Sequence, residues 1–86
     1  MSFDPIRHFV VSEFLQGHRA EDLDLDQPLI SSGIVDSVGT MKLVLYLEQE
    51  FGIVLDSDDI VSDQLDTVRS IGALVEGKLA ARASGE

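Results

Sequence analysis

Apolar residues recur at helical spacing in three stretches of this chain, and in none of them do they alternate as a half-buried strand requires. In DPIRHFVVSEFLQG, residues 4–17, Ile6, Val10 and Phe14 fall at i, i+4 and i+8, with Phe9 alongside. Asp4 is placed to cap that helix, Pro5 suits its first position and Gly17 its exit. In DTVRSIGALVEGKLAAR, residues 66–82, Val68, Ile71, Val75 and Leu79 make a second stripe behind a cap at Asp66 or Thr67. Residues 37–51 form the third helix, ended by Phe51-Gly52, while DSDDIVSD leaves room for only a short one. A chain of 86 residues makes one small domain. The expected fold is all-α, a small bundle of three main helices plus one short helix. Residues 1–82 form the domain and 83–86 a frayed tail.

Two features depart from a plain bundle. The connection HRAEDLDLDQPLISSGIVD, residues 18–36, contains Leu23, Leu25, Leu29, Ile30, Ile34 and Val35, which a free linker would lack. A long loop inside a small domain is either functional or pinned, and these residues predict pinning. The helix at 37–51 has two apolar sectors where a surface helix needs one. At roughly 100° per residue, Leu43, Val44, Leu47 and Phe51 share one sector and Val38, Met41 and Leu45 another, nearly opposite. Gly39, Lys42, Tyr46 and Glu50 separate the two on one flank. The first sector suits the core. The second either lies under the long loop or is a contact strip for a partner.

That second sector begins beside Ser37, at the start of the helix. An Asp-Ser pair at a helix start is commonly just a cap. A helix N-terminus also offers free N–H groups and the positive end of the dipole, which suit a phosphate ester. Ser31, Ser32 and Gly33 leave room for an enzyme to reach the Ser37 hydroxyl.

The stretch SGIVDSVGTMKLVLYLEQEFGI resembles the phosphopantetheine attachment region of acyl carrier proteins and peptidyl carrier proteins. The shared elements are a Gly shortly before Asp36-Ser37, an apolar residue next, a patterned helix and an acidic-Phe ending. The likeness is strongest over residues 29–55. It implies an acyl-carrier-like fold and a 4′-phosphopantetheine arm on Ser37, installed from coenzyme A by a phosphopantetheinyl transferase, with Asp36 supporting the site. It also implies cargo held as a thioester, no catalysis by the chain itself, and partners docked along the helix after the serine. Val38, Gly39, Met41, Lys42 and Leu45 are then the partner strip, with Ile60 and Val61 of the short helix as its far wall. Val38 stands where the family most often has Leu. Gly39 and Lys42 stand where fatty-acid-synthesis carriers usually place acids. The helix start is more like that of discrete carriers loaded by an ATP-dependent adenylating ligase with an amino acid or a short carboxylic acid. A downstream acyltransferase or synthase would receive the cargo. A general fatty-acid or polyketide carrier is the alternative within the family, and an acidic helical adaptor with no prosthetic group is the alternative outside it.

Charge and composition narrow the field. Sixteen acidic against six basic residues give a formal charge of −10. Nucleic acid and anionic membranes both select for Lys and Arg, so neither is an expected partner. There is no cysteine, hence no disulfide and no thiolate metal site. No basic start with a long apolar run marks a signal peptide, so a cytoplasmic monomer is expected. A serine hydrolase would need a G-x-S-x-G elbow, which is missing; His8 and His18 read as exposed helix and loop residues. The acid-rich segments 22–33 and 56–67 fail as calcium loops: position 6 is Gln27 or Val61 instead of Gly, and position 12 is Gly33 or Thr67 instead of Glu. No metal site is expected. The excess of carboxylates leaves self-repulsion in a marginally stable domain. Added salt or Mg²⁺ is therefore predicted to raise the melting temperature, measured by circular dichroism across a titration; a flat or falling curve would mean the acids are already compensated.

Overall fold

Four helices and two 3₁₀ turns follow one another in the computed structural model, which describes residues 3–61 and 63–85. Helix α1 spans Asp4–Phe14, α2 Ser37–Phe51, α3 Ser57–Val61 and α4 Val68–Gly85. The turns lie at Ala20–Asp22 and Asp63–Leu65. Three main helices and a short one are what the apolar spacing predicts, and among the described residues there is no strand.

The ends differ in detail from the sequence expectations. Asp4 is not the cap of α1. Phe3 holds that position without a side-chain cap bond, and Asp4 is already helical. There its carboxylate sits in the first turn and accepts from Arg7 Nη2 at 2.8 Å, an i,i+3 pair. Helix α2 begins and ends where the sequence places it. Gly52 leaves it at φ +65°, in the left-handed region, and its N–H closes on Glu48 O at 2.9 Å. At α4 the cap is Thr67, not Asp66. Ser70 N–H donates to Thr67 Oγ1 at 3.0 Å and Thr67 N–H donates to Ser70 Oγ at 3.2 Å, a reciprocal box. The helix continues through residues 83–85, which the sequence reading assigns to a frayed tail, because nothing between Leu79 and Ser84 breaks it.

The core is apolar throughout. Ile6 and Val10 of α1, Leu43 and Leu47 of α2, and Val68, Ile71 and Val75 of α4 are inaccessible to solvent. The connection between α1 and α2 is part of that core. Leu29 and Val35 are fully buried, and Leu25, Ile30 and Ile34 pack on the cluster from its edge. Aromatic rings seal the α1–α2 seam. Phe9 stacks on Tyr46 with centroids 4.1 Å apart, Phe9 meets Phe14 edge-on and Tyr46 meets Phe51 edge-on. The Tyr46 hydroxyl donates to Pro5 O at 3.0 Å. Burial pushes its phenol above the usual range, with Glu50 adding to the effect.

Asp66 pins the long connection from the far side of the sequence. Its Oδ1 accepts from Ile30 N–H and Ser31 N–H at 2.8 and 2.9 Å, and its Oδ2 accepts from Ser31 Oγ at 2.8 Å. Its own carbonyl accepts from Leu29 N–H at 2.7 Å. Arg69 grips the same connection nearer α1, donating Nε to Asp26 at 2.7 Å and N–H to Leu25 O at 3.0 Å. The Ser31 N–H, seconded by the Ser31 hydroxyl and Ile30 N–H, holds the Asp66 carboxyl below the usual carboxylate range. A carboxyl depressed on folding adds stability above its unfolded pKa, about 4, and that contribution is lost as pH falls through the folded value. Asp66→Ala should cost about 1–2 kcal/mol in urea unfolding at pH 7, and the gap from wild type should close as pH is lowered below about 4. A cost that persists unchanged at acid pH would mean that the carboxylate is not what holds the loop.

Candidate functional site

The pinned connection delivers Asp36 and Ser37 to the head of α2. Asp36 has extended backbone and caps the helix, its Oδ1 accepting from Gly39 N–H at 2.7 Å. Its carbonyl accepts both Thr40 N–H at 2.8 Å and Thr40 Oγ1 at 2.9 Å. The turn is thereby fixed from both sides of the peptide group. Ser37 is the first helical residue and is exposed. Among the described residues no side chain or backbone group engages its hydroxyl. The N–H groups of Ser37 and Val38 have no acceptor within the helix, and no acidic side chain occupies the first turn. The first turn therefore leaves two N–H donors and the positive end of the helix open to an anionic ester, while the Asp36 carboxylate already occupies the third donor, Gly39 N–H.

Beyond Ser37 the two sectors of α2 part as the spacing predicts. Leu43, Val44 and Leu47 are buried. Val38, Met41 and Leu45 are exposed by 67%, 52% and 53%, so the second sector does not lie under the long loop. Lys42 is exposed beside them. Gly39 is different. It is buried, and a Cβ built there would stand 2.7 Å from Phe14 Cε1 and 3.2 Å from Asp36 Oδ1. The expectation that Gly39 tunes a partner surface is corrected on this point: its missing side chain lets the Phe14 ring lie against the first turn. Ile60 is half-buried and packs on the core, so it is shared between core and surface instead of forming an open wall. The side chain of Val61 lies outside the described residues. Among the described residues no cluster of His, Asp and Glu has metal-binding geometry, and no helix is long and apolar enough to cross a membrane.

The comparisons agree with this geometry. The family model for the phosphopantetheine attachment site matches residues 10–75, which include the whole Asp36–Phe51 region. The D-alanyl carrier protein of Abiotrophia defectiva is 31% identical over 71% of this chain and 75% of its own length. A probable acyl carrier protein, PigG, of Serratia sp. is 34% identical over 78% of this chain and 76% of its own. The fold is that of the holo acyl carrier protein of Nitrosomonas europaea solved in solution, with TM-score 0.76 over 91% of this chain and 95% of that one. The chain belongs to the phosphopantetheine attachment-site family: it is a carrier protein whose prosthetic group is 4′-phosphopantetheine.

Sequence reasoning missed Phe14 and Asp66 as residues that position the site. A signal for the first was available, since a glycine inside a helix costs about 1 kcal/mol and often marks a close approach. Asp66 gave none, because a capping role and a clamping role use the same residue type. The split of α2 predicts a split in variant behaviour. Leu47→Ala should lose about 2–5 kcal/mol of stability, whereas Met41→Ala and Leu45→Ala should each stay within about 0.5 kcal/mol of wild type in the same denaturation assay. Gly39→Asp should behave as a packing defect costing about 1–3 kcal/mol, not as a surface charge change.

Proposed function

We propose that Ser37 is the attachment residue, and that the holo-protein is a non-catalytic carrier loaded by an ATP-dependent adenylating ligase with an amino acid or a short carboxylic acid. The observation that supports it most is the exposed, unengaged Ser37 hydroxyl at the head of a helix whose first turn is built by Asp36. In the modification, Ser37 Oγ attacks the coenzyme A phosphorus that bears the pantetheine arm. The hydroxyl proton is lost, the diphosphate linkage breaks, and adenosine 3′,5′-bisphosphate leaves. Asp36 keeps the first turn in place and Ser37 outside the packed core. Once attached there, the arm would supply a terminal thiol able to hold the cargo as a thioester. Because coenzyme A and ATP are both needed, the cytoplasm is the proposed site of action.

The ligase-served subtype is supported by the D-alanyl carrier relatives and by the outer face of α2. That face offers Lys42 where a fatty-acid-synthesis partner with a basic patch would meet a like charge. The similarity to a probable acyl carrier protein supports a general acyl carrier as the second reading. Intact mass spectrometry tests both. With coenzyme A, Mg²⁺ and a broad-specificity phosphopantetheinyl transferase, the wild type should gain one phosphopantetheine and Ser37→Ala none. Modification mapped to Ser31, Ser32 or Ser57 would remove Ser37 from the role. Holo-protein should then gain an aminoacyl or short acyl group with ATP and an adenylating ligase. Efficient malonyl loading by fatty-acid-synthesis enzymes instead would select the second reading.

A further inference from the structure

A cleft that attachment at Ser37 does not use lies beside the head of α2. It opens between the end of α1 and the connection and has a volume of about 280 Å³. Val11, Leu15, Leu23 and Ile34 form its apolar floor; Val11 and Leu23 are buried, Leu15 and Ile34 half-buried. Two features of the chain place it near Ser37. Ile34 precedes Ser37 by three residues, at most about 11 Å along the backbone. Leu15 follows Phe14, whose ring lies against Gly39 in the first turn. Gly39 points roughly 100° round α2 from Val38, so the cleft lies on the α1 side of the helix head and not on the strip of Val38, Met41 and Leu45. Its rim is acidic. Asp22 and Asp24 line it, both exposed, and neither is ion-paired among the described residues. Asp24 Oδ1 accepts from Asp26 N–H at 2.8 Å. His18 and Arg19 share the rim, and Arg19 is paired with Glu21 at 2.8 Å. Arg69, on which the Asp24 charge also acts, is paired with Asp26. Pockets that enclose a drug-sized molecule hold about 300–1,000 Å³, so this cleft suits a short group and not a long acyl chain.

We infer that this cleft receives the end of the group carried on Ser37, and that it selects a short acyl group bearing an ammonium. The inference rests on the carrier reading and deepens it by naming the charge of the cargo. A small apolar side chain rests on Leu15 and Ile34 while the ammonium turns to Asp22 and Asp24. A carboxylate-ended group such as malonyl meets two like charges there. Each exposed pairing is weak by itself. The tether changes the balance, because a group on a short flexible arm meets the cleft at an effective concentration of roughly millimolar order. Contacts too weak to hold a free ligand of that size are enough to bias a tethered one.

The test loads the full-length protein with coenzyme A analogues, using Mg²⁺ and a broad-specificity phosphopantetheinyl transferase. The analogues carry alanyl, propionyl or malonyl groups through an amide in place of the thioester, so no ligase is needed and the cargo does not hydrolyse. Amide chemical shifts are read against protein bearing the unloaded arm. The alanyl group should shift Leu15, Asp22, Leu23 and Ile34 most, propionyl less and malonyl least. The alanyl methyl should show nuclear Overhauser contacts to the Leu15 and Ile34 side chains. Asp22→Asn with Asp24→Asn keeps an acceptor for Asp26 N–H and should cut the alanyl shifts about two- to fivefold, to the propionyl level. Alanyl shifts no larger than propionyl shifts, shifts unmoved by the double Asn variant, or contacts confined to Val38, Met41 and Leu45 would overturn the inference and leave the carrier reading standing. No mass gain on Ser37 with any analogue would overturn the carrier reading, and this inference with it.

Discussion

A single carboxylate, Asp66, ties the connection between α1 and α2 to the start of α4. It takes two backbone N–H groups and one hydroxyl from residues 30 and 31, and its carbonyl takes a third N–H from Leu29. Leu29 is buried and Ile30 half-buried, so their N–H groups would otherwise lie at the edge of an apolar core with no partner, which is costly. With them satisfied, Leu29 and Val35 can be fully buried, and the chain reaches Asp36 on a fixed path. The orientation of Ser37 is therefore set by an interaction across more than thirty residues. The loop looks irregular, but it behaves as a packed element of the domain.

Helix α2 serves two neighbours at once. Its inner sector packs on α1 and α4, and its outer sector meets solvent with three exposed apolar side chains. Burying the outer residues would have gained stability in a domain too small to have much to spare. Leaving them outside fits a protein that must be held by others. The first turn joins the two roles. Gly39 lets Phe14 lie against it from inside, and Asp36 caps it from outside, so that Ser37 is presented without being buried.

Charge is distributed unevenly between acidic and basic side chains. At long range it is strongly acidic. Ion pairs use up most of its basic side chains, and Lys42, on the outer face of α2, makes none with the described residues.

The helices, the bounds of α2, the two sectors on it and the Asp36-Ser37 junction were legible in the sequence alone. Side-chain direction along a helix is a local property, so spacing reports which residues share a face. The short third helix was legible from the little room left for it, and the pinned character of the connection from its composition, because apolar residues have to be buried somewhere. Spacing cannot report what a face meets. Whether the second sector of α2 is covered, why Gly39 is a glycine, and whether Asp66 caps its own helix or clamps a distant loop all depend on contacts between residues far apart in the chain. Ile30 and Asp66 are 36 residues apart, and Phe14 and Gly39 belong to different helices. Only the tertiary structure decided those points, because the donors, rings and carbonyls involved come within reach of one another only after the chain has folded.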